Sequence, residues 1–316
     1  MCISSARSAV ESKRPAESAY ASSAWRIAAV HPAIPAFKRI STDQDRLLSG
    51  QTEFSTASLR RVGLPCVLKP SHHVGWQRSA AVRRYGGKPR KALRADTPAE
   101  FAAAYAAISA SVPEFLVQEY IRGDDTCIYS FHTYLDEAGR SLGSYVGRKL
   151  RTYPRDTGVS TYLELVDEPA LPPLGLELLR SLGLRGPVKI DFKRDPKTGR
   201  FLVLELNPRF NLWNYLGAAC GVNLLRLAYE DLVGGSAAPA VLRRHDVRWL
   251  SLENDLRAFV RDYHHDGDLS WLGWLGSLSH RKVYDTFAWD DPLPAVMSSL
   301  RYGRALGRRL LRELRH

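Results

Sequence analysis

The most regular alternation of apolar and polar residues lies in the segment VKIDFKRDPKTGRFLVLELNPRF, which spans residues 188–210. An alternation of period two predicts β-strands that have one apolar face. A three-residue turn at 197–199, with Gly199 in the left-handed conformation, joins the two strands into a hairpin. This register places Asp191 opposite Glu205. The apolar face of the second strand then consists of Leu202, Leu204 and Leu206.

The polar face of this hairpin collects oxygen ligands. Asp191, Glu205 and Asn207 share it, and two facing carboxylates repel each other unless a cation lies between them. Carboxylate and amide oxygens suit Mg²⁺. The alternative is a solvated hairpin face on which Lys189 and Lys193 neutralise the acids, and the hairpin pattern alone does not decide between these interpretations.

Other patterns along the chain predict a mixture of hairpins and helices. Thr97, Pro98 and Glu100 form the start signal of a helix. Gly139 suits the turn of a second hairpin. Predicted strands are LPCVLKP, FLVQEY, 126–135 and 141–151, and predicted helices are 97–108, 174–182 and one or two helices within 211–235. Because hairpins dominate, the pattern favours an α+β (mixed α/β) fold over a purely parallel sheet.

Composition sets broad limits on the class of protein. The chain has 316 residues, 45% of them hydrophobic, and a formal net charge of +12, which makes phosphorylated ligands, nucleic acid or an anionic membrane plausible partners. Its four cysteines form no C-x-x-C pair, which argues against a zinc site or a disulfide framework and favours the cytoplasm. Residues 1–55 show no sustained periodicity and are interpreted as a poorly organised arm.

Four segments in order resemble the nucleotide-binding and metal-binding segments of the ATP-grasp superfamily of carboxylate-amine ligases. They are VLKP with Lys69, VQEYIRGDD, GRKLR and DFKRDPKTGRFLVLELNPR. The resemblance covers about residues 62–235. It implies an ATP-grasp domain at 56–237, in which a smaller subdomain at about 62–122 and a larger one at about 123–235 clamp the nucleotide. The flanking regions are then a reduced N-terminal remnant at 1–55 and a Trp-rich region at 238–316 with a basic helical tail.

The resemblance also implies roles on the nucleotide side of the site. Lys69 would reach the phosphates, and the loop that contains Gly75 would act as a lid. Asp125 would bind the ribose hydroxyls. The strand that reads the adenine edge would consist of Gln118, Glu119, Tyr120 and Ile121.

On the side of the chemistry, the resemblance assigns Asp191, Glu205 and Asn207 as ligands of Mg²⁺, with Mn²⁺ as the alternative metal. The cations that face the transferred phosphoryl group and the acyl phosphate would be Lys149, Arg151 and Arg209. The implied activity is an ATP- and Mg²⁺-dependent ligation of a small-molecule carboxylate to an amine through an acyl phosphate.

Three further interpretations stay open. A nucleotide-binding pseudoenzyme or regulatory module is favoured by the short region before the grasp segments, and we expect the 316-residue chain alone to bind Mg²⁺-ATP but to ligate poorly. Nucleic-acid binding is the least favoured of the three and nucleic acid is not an expected partner, because RRYGGKPRKALR lacks interleaved aromatic residues. The basic tail, residues 298–316, is predicted to be an amphipathic helix that binds an anionic membrane or a protein partner, or that packs on its own domain.

Overall fold

A computed structural model of the chain describes residues 37–41 (backbone only), 59–60, 62–70, 92–109, 114–156, 158–235, 238–298 and 300. The strands are β1 Phe37–Ser41, β2 Cys66–Pro70, β3 Leu93–Ala95, β4 Glu114–Glu119, β5 Ile128–Leu135, β6 Ser141–Tyr153, β7 Val159–Val166, β8 Gly186–Arg194, β9 Phe201–Asn207, β10 Val247–Leu250 and β11 Arg281–Tyr284. The α-helices are α1 Pro98–Ser109, α2 Leu171–Ser181, α3 Asn214–Ala219, α4 Leu224–Leu232, α5 Leu252–Ala258 and α6 Trp271–Ser277. A π-helical turn, Phe259–Tyr263, continues α5.

The smaller sheet has four antiparallel strands in the order β1-β4-β2-β3. Helix α1 covers it, and Phe101 and Ile108 of the helix pack against Leu68 and Phe115 of the strands. The helix begins as predicted, because the backbone N–H of Glu100 donates to Oγ1 of Thr97 at 3.2 Å. A compact subdomain results.

The larger sheet has seven strands in the order β11-β10-β7-β6-β5-β8-β9. All neighbours are antiparallel except β10 and β11, which run parallel. Helix α2 packs on one face, and α3 and α4 pack on the other. Because both faces are covered, every residue of the interior strand β5 is buried.

The β8–β9 hairpin has the predicted pairing of Asp191 with Glu205, but the turn and the strand register that produce this pairing differ from the prediction. The turn has four residues, since the N–H of Asp195 donates to the carbonyl of Arg200 at 2.9 Å. A β-bulge at Leu204 adds one residue to β9 and restores the register. The predicted apolar face of β9 is therefore wrong in part. Phe201, Val203 and Leu206, rather than Leu202 and Leu204, pack against the core.

Several strands were not predicted. β1 lies within the arm at 1–55 for which the sequence indicates no regular element, and it is held by pairing along β4. β10 and β11 extend the larger sheet from within the Trp-rich region. Residues 301–316 and the Gly75 loop, for which we predict a basic helix and a lid, lie outside the described residues. In the part of the chain that is described, no helix is long and apolar enough to cross a membrane.

Candidate active site

The candidate site lies where the smaller sheet meets β9, the edge strand of the larger sheet. Lys69 of β2 donates from Nζ to the carbonyl of Leu204 at 3.2 Å. Gln118 of β4 donates from Nε2 to the carbonyl of Val203, also at 3.2 Å. Successive carbonyls of a regular strand point to opposite sides, so the bulge is what allows both to accept from the smaller sheet.

Asp191 is the centre of a buried ionic cluster, and only 4% of its surface is exposed. Nζ of Lys189 lies 2.7 Å from Oδ2 of Asp191, and Nζ of Lys149 lies 3.7 Å from the same oxygen. Ser130 donates to Oδ1. Burial alone would raise the pKa of Asp191, but Lys149 and Lys189 outweigh that effect and hold the pKa well below its ordinary value. The carboxylate is therefore ionised at neutral pH.

Two further side chains that carry oxygen atoms and an arginine adjoin this cluster at the end of the hairpin. Glu205 lies opposite Asp191 with its side chain exposed, and Asn207 pairs with Lys189. Arg209 turns back over Asn207, donating from Nη2 to Oδ1 of the amide at 3.3 Å. Its Nη1 donates to the carbonyl of Phe210 at 3.1 Å.

Positive charge exceeds negative charge at this site. Burial is the main cause that lowers the pKa of Lys69 to about 8; Glu205 and Asp191 oppose the change, and Lys193 makes a smaller contribution in the same direction as burial. The two carboxylates therefore offset only part of the effect of burying the ammonium group. The cations Lys69, Lys149, Lys189 and Arg209 outnumber the carboxylates of Asp191 and Glu205, which is the arrangement expected of a polyanion site.

The donors fit a magnesium ion that shares its ligands with phosphate. Two carboxylates and one amide on facing strands supply oxygen ligands only, and Mg²⁺ is commonly bound by few protein groups together with phosphate oxygens. Among the described residues, no group of three or more His, Cys, Asp or Glu side chains could enclose a metal. A metal at Asp191 would have to displace Lys189 from Oδ2, and phosphate oxygens could then accept from that lysine.

A second buried acid, Asp125, lies at the start of β5. It begins the 3-10 turn Asp125–Cys127, which Asp124 caps by accepting from the N–H of Thr126 at 2.9 Å. Oδ2 of Asp125 accepts from the hydroxyl of Thr152 at 2.8 Å and from the hydroxyl of Tyr263. Oδ1 is shielded from solvent and has no hydrogen-bond partner among the described residues.

The predicted adenine strand runs from the smaller sheet toward Asp125. The ring of Tyr120 lies between two cations, with the guanidinium of Arg94 at 4.1 Å and Nζ of Lys193 at 5.4 Å from its centroid. Ile121 is buried and Glu119 is exposed. Lys193 thus belongs to this region, and of the two lysines proposed to neutralise the hairpin acids only Lys189 contacts Asp191.

Arg151 does not join the cations around Asp191. It is 6% exposed, and its Nε and Nη2 donate to the two carboxylate oxygens of Asp255 at 2.9 and 2.8 Å. The register of β6 against β7 shifts on both sides of Arg151. These shifts explain why Lys149 and Arg151, two residues apart, point to different neighbours.

Sequence reasoning missed several groups that shape the site. Ser130 and His132 lie on β5 directly beside Asp191 and Lys189 of β8. The ring of His132 stacks on Tyr145 at 4.7 Å and lies tilted against Trp213 at 4.1 Å. Burial together with the charge of Lys189 holds the pKa of His132 well below its ordinary value. No local motif marks these residues, because the neighbours that give them a role come from distant strands.

Comparisons with known proteins bear on this architecture. No protein-family model matches the chain. The D-aspartate ligase of Enterococcus faecium is 26% identical over 173 residues, which cover 54% of this chain and 40% of that ligase. The chain thus spans less than half the length of this curated relative.

Two solved structures resemble the chain in fold. One is an ADP complex of N5-carboxyaminoimidazole ribonucleotide synthetase, with a TM-score of 0.51, 13% identity and coverage of 71% of this chain and 53% of that one. The other is N5-carboxyaminoimidazole synthetase from Staphylococcus aureus complexed with ADP, with a TM-score of 0.51, 11% identity and coverage of 71% and 54%. Together with the two sheets and the ordered motifs between them, these similarities lead to one conclusion: the chain has the ATP-grasp fold.

Proposed function

We propose that the chain is an ATP- and Mg²⁺-dependent ligase that activates a carboxylate as an acyl phosphate and joins it to an amine. The observation that carries the proposal is the arrangement around Asp191. Three oxygen ligands, Asp191, Glu205 and Asn207, adjoin an excess of cations at the seam between the two sheets. A seam of this kind suits a ligand that carries several negative charges and a metal.

The nucleotide would lie along β4 and the turn that follows it. In this proposal, the strand formed by Gln118, Glu119, Tyr120 and Ile121 reads the adenine, and Asp125 binds the ribose. The unsatisfied Oδ1 of Asp125 supports the second assignment, because a buried carboxylate oxygen without a donor is costly unless a ligand supplies one.

The phosphates would lie between Lys69 and the cluster at Asp191. Mg²⁺, or Mn²⁺ in its place, would be held by Asp191, Glu205 and Asn207 and would neutralise charge on the phosphate oxygens. Lys69, which donates to the carbonyl of Leu204 in the ligand-free protein, would gain a phosphate oxygen as a counter-ion. Lys189, displaced from Asp191, would pair with a phosphate oxygen.

The chemical step needs charge stabilisation and no covalent bond to the protein. A carboxylate oxygen of the substrate attacks the γ-phosphorus, and the bond to ADP breaks. The amine then attacks the acyl carbon, loses a proton and releases inorganic phosphate. Lys149 and Arg209 are proposed to stabilise the developing charge, and Arg151, which is paired with Asp255, is proposed to act indirectly by fixing β6.

The substrates are proposed to be small molecules. The name of the curated relative, D-aspartate ligase, suggests an amino-acid carboxylate for this chain as well. Nucleic acid is not a proposed partner. A cytoplasmic location, and binding of an anionic membrane or a protein partner through residues 298–316, remain part of the proposal on the basis of sequence alone.

The direct test is to trap the acyl phosphate with hydroxylamine. The chain is incubated with Mg²⁺-ATP and pools of amino-acid carboxylates, and hydroxamate and ADP are measured together. We expect equal amounts of hydroxamate and ADP with the correct acid, and neither product with the Glu205→Gln variant. ADP release without hydroxamate from any acid pool would contradict the ligase proposal.

A second candidate, nucleotide binding without turnover, is favoured by one observation. Arg151, one of three cations expected at the phosphoryl group, is committed to Asp255 in a buried pair. Tight binding of Mg²⁺-ATP without ADP formation on any acid pool would favour this candidate.

A further inference from the structure

A side chain of the Trp-rich region donates a hydrogen bond to Asp125, the second buried acid of the site. Tyr263, the last residue of the π-helical turn, lies 138 positions after Asp125 and donates its hydroxyl to Oδ2 of that acid. The same phenolic oxygen accepts from the backbone N–H of Thr152 at 3.0 Å. Tyr263 lies outside the segment that resembles the ATP-grasp ligases, so that resemblance gives it no role.

The two oxygens of Asp125 have different surroundings. Oδ2 lies within reach of two hydroxyls, from Tyr263 and Thr152, whereas Oδ1 has no donor among the described residues. The hydroxyl of Thr152 also lies 3.1 Å from the carbonyl of Pro154, so its proton has two acceptors to choose from. Tyr263 is therefore the more consistent hydrogen-bond donor to Asp125, and its hydrogen bond limits rotation of the carboxylate.

Tyr263 is itself held in place by a buried network. Phe259, in the same turn, stacks on Trp274 with ring centroids 5.1 Å apart. Nε1 of Trp274 donates to Asp255 at 2.9 Å, and Asp255 is the partner of Arg151 on β6. The turn that carries Tyr263 is thus fixed to the strand that carries Thr152, and the phenol has a defined position relative to Asp125.

We propose that Tyr263 is a positioning residue that orients Asp125 so that its free oxygen, Oδ1, accepts a hydrogen bond from a ribose hydroxyl of the nucleotide. The inference rests on the proposed function, since it requires that ATP binds with its ribose at Asp125. Its consequence is selectivity. Tyr263 determines how strongly the chain prefers ribonucleotides to deoxyribonucleotides, while direct contact with the ribose belongs to Asp125.

The test compares the affinities of ATP, 2′-deoxy-ATP and 3′-deoxy-ATP, each with Mg²⁺, in the wild type and in Tyr263→Phe. The variant keeps the ring and loses only the hydroxyl. A hydrogen bond between a hydroxyl and a carboxylate corresponds to roughly tenfold or more in affinity. We expect the wild type to prefer ATP over at least one deoxynucleotide by about that factor, and the variant to lose most of the preference through weaker binding of ATP.

A matched control is Tyr134→Phe. Tyr134 also donates its hydroxyl to a carboxylate, that of Asp231 at 2.8 Å, on the face of the large sheet that α4 covers. We expect this variant to keep the wild-type preference for ATP. A general loss of stability from removing a tyrosine hydroxyl would affect both variants and would not change the ratio of affinities.

Different outcomes test the proposed function and the inference about Tyr263 separately. A wild type that does not bind Mg²⁺-ATP contradicts the proposed function. A wild type that binds all three nucleotides equally overturns the inference about Tyr263 and the assignment of the ribose to Asp125. A folded Tyr263→Phe variant with an unchanged ratio overturns the inference about Tyr263 alone. Both results leave the proposed ligase activity standing. If Tyr263→Phe does not fold, Trp274→Phe removes the indole N–H that ties the turn of Tyr263 to Asp255, and an unchanged ratio in that variant contradicts the inference in the same way.

Discussion

Lys69 combines two properties that bear on the binding of a polyanion. Its amino group is placed where burial lowers the pKa to about 8, and it donates to a backbone carbonyl rather than to a carboxylate. A lysine in this position destabilises the ligand-free fold at neutral pH, since the charged form is favoured more in the unfolded chain. Binding of a polyanion would remove that disadvantage.

The lowered pKa of Lys69 predicts the direction in which the free energy of unfolding changes with pH. Between pH of about 8 and 10.5 the unfolded chain holds the lysine proton and the folded chain does not, so the free energy of unfolding rises with pH. The slope is about 1.4 kcal/mol per pH unit for a complete difference of one proton. The free energy of unfolding, measured with denaturant across this range, should contain this rise in the wild type but not in Lys69→Met. Subtracting the curve of the variant from the curve of the wild type isolates the rise.

A matched control is Lys69→Arg, which keeps its charge throughout the range and should also lack the rise. If the difference between wild type and Lys69→Met were independent of pH, the environment assigned to Lys69 would be wrong.

Residue positions were predictable from the sequence where the pattern was local. Alternation placed Asp191 opposite Glu205, and the structure has that pair. The partners of the buried acids were not predictable, because Ser130 is 61 residues from Asp191 and Tyr263 is 138 residues from Asp125. A hydroxyl gains such a role only when the order of the strands is known.

At the scale of elements, the β8–β9 hairpin shows how a pairing can be predicted correctly although the turn is predicted wrongly. The turn is one residue longer than predicted, and the bulge at Leu204 compensates for it. The bulge also turns the carbonyls of Val203 and Leu204 toward the smaller sheet. There they accept hydrogen bonds from Gln118 and Lys69 respectively. A regular hairpin would have supplied the acids but would have lost one of these contacts.

Elements with strong local signals were predicted well, whereas those that depend on distant partners were missed. The cap at Thr97 and the left-handed Gly183 and Gly199 marked a helix start, a helix end and a turn. β1 and β10 are short strands with little alternation, and they form because β4 and β7 present edges to them. Such pairing cannot be inferred from a five-residue segment alone.

The anchoring of α5 gives a stability prediction. Asp255 is fully buried and accepts hydrogen bonds from Arg151, Thr161 and Trp274. Asp255→Asn would leave the guanidinium of Arg151 buried without a counter-charge, and breaking a buried pair from one side costs about 3–5 kcal/mol. We expect a loss of this size in the free energy of unfolding by denaturant.

The control for Asp255→Asn is the same change at Asp246. Asp246 pairs with Arg244 at 2.5 Å, but both side chains are at least one third exposed. A solvent-exposed ion pair contributes little to stability, so we expect Asp246→Asn to have a much smaller effect than Asp255→Asn. Equal effects of the two substitutions would contradict the structural role given to Asp255.

At the scale of the whole molecule, the site depends on two sheets and on a region beyond the recognised motifs. The smaller sheet supplies Lys69 and Gln118, the larger sheet supplies the hairpin acids, and the Trp-rich region holds Arg151 and Asp125 through Asp255 and Tyr263. The ATP-grasp resemblance at 62–235 accounts for the first two contributions. The third follows only from the structure, because β10 and β11 extend the larger sheet and α5 packs on it through non-local contacts.

The central claim is that the cluster at Asp191 and Glu205 binds ATP together with Mg²⁺. The most direct measurement is calorimetric titration of the chain with ATP, with and without Mg²⁺, in the wild type and in Glu205→Gln. Glu205 is exposed, so the substitution removes a charge while the fold survives. We predict that Mg²⁺ strengthens ATP binding to the wild type by at least about tenfold, a difference of about 1.4 kcal/mol, and that this gain is lost in the variant. An equal gain from Mg²⁺ in both proteins, or no ATP binding by the wild type, would contradict the account.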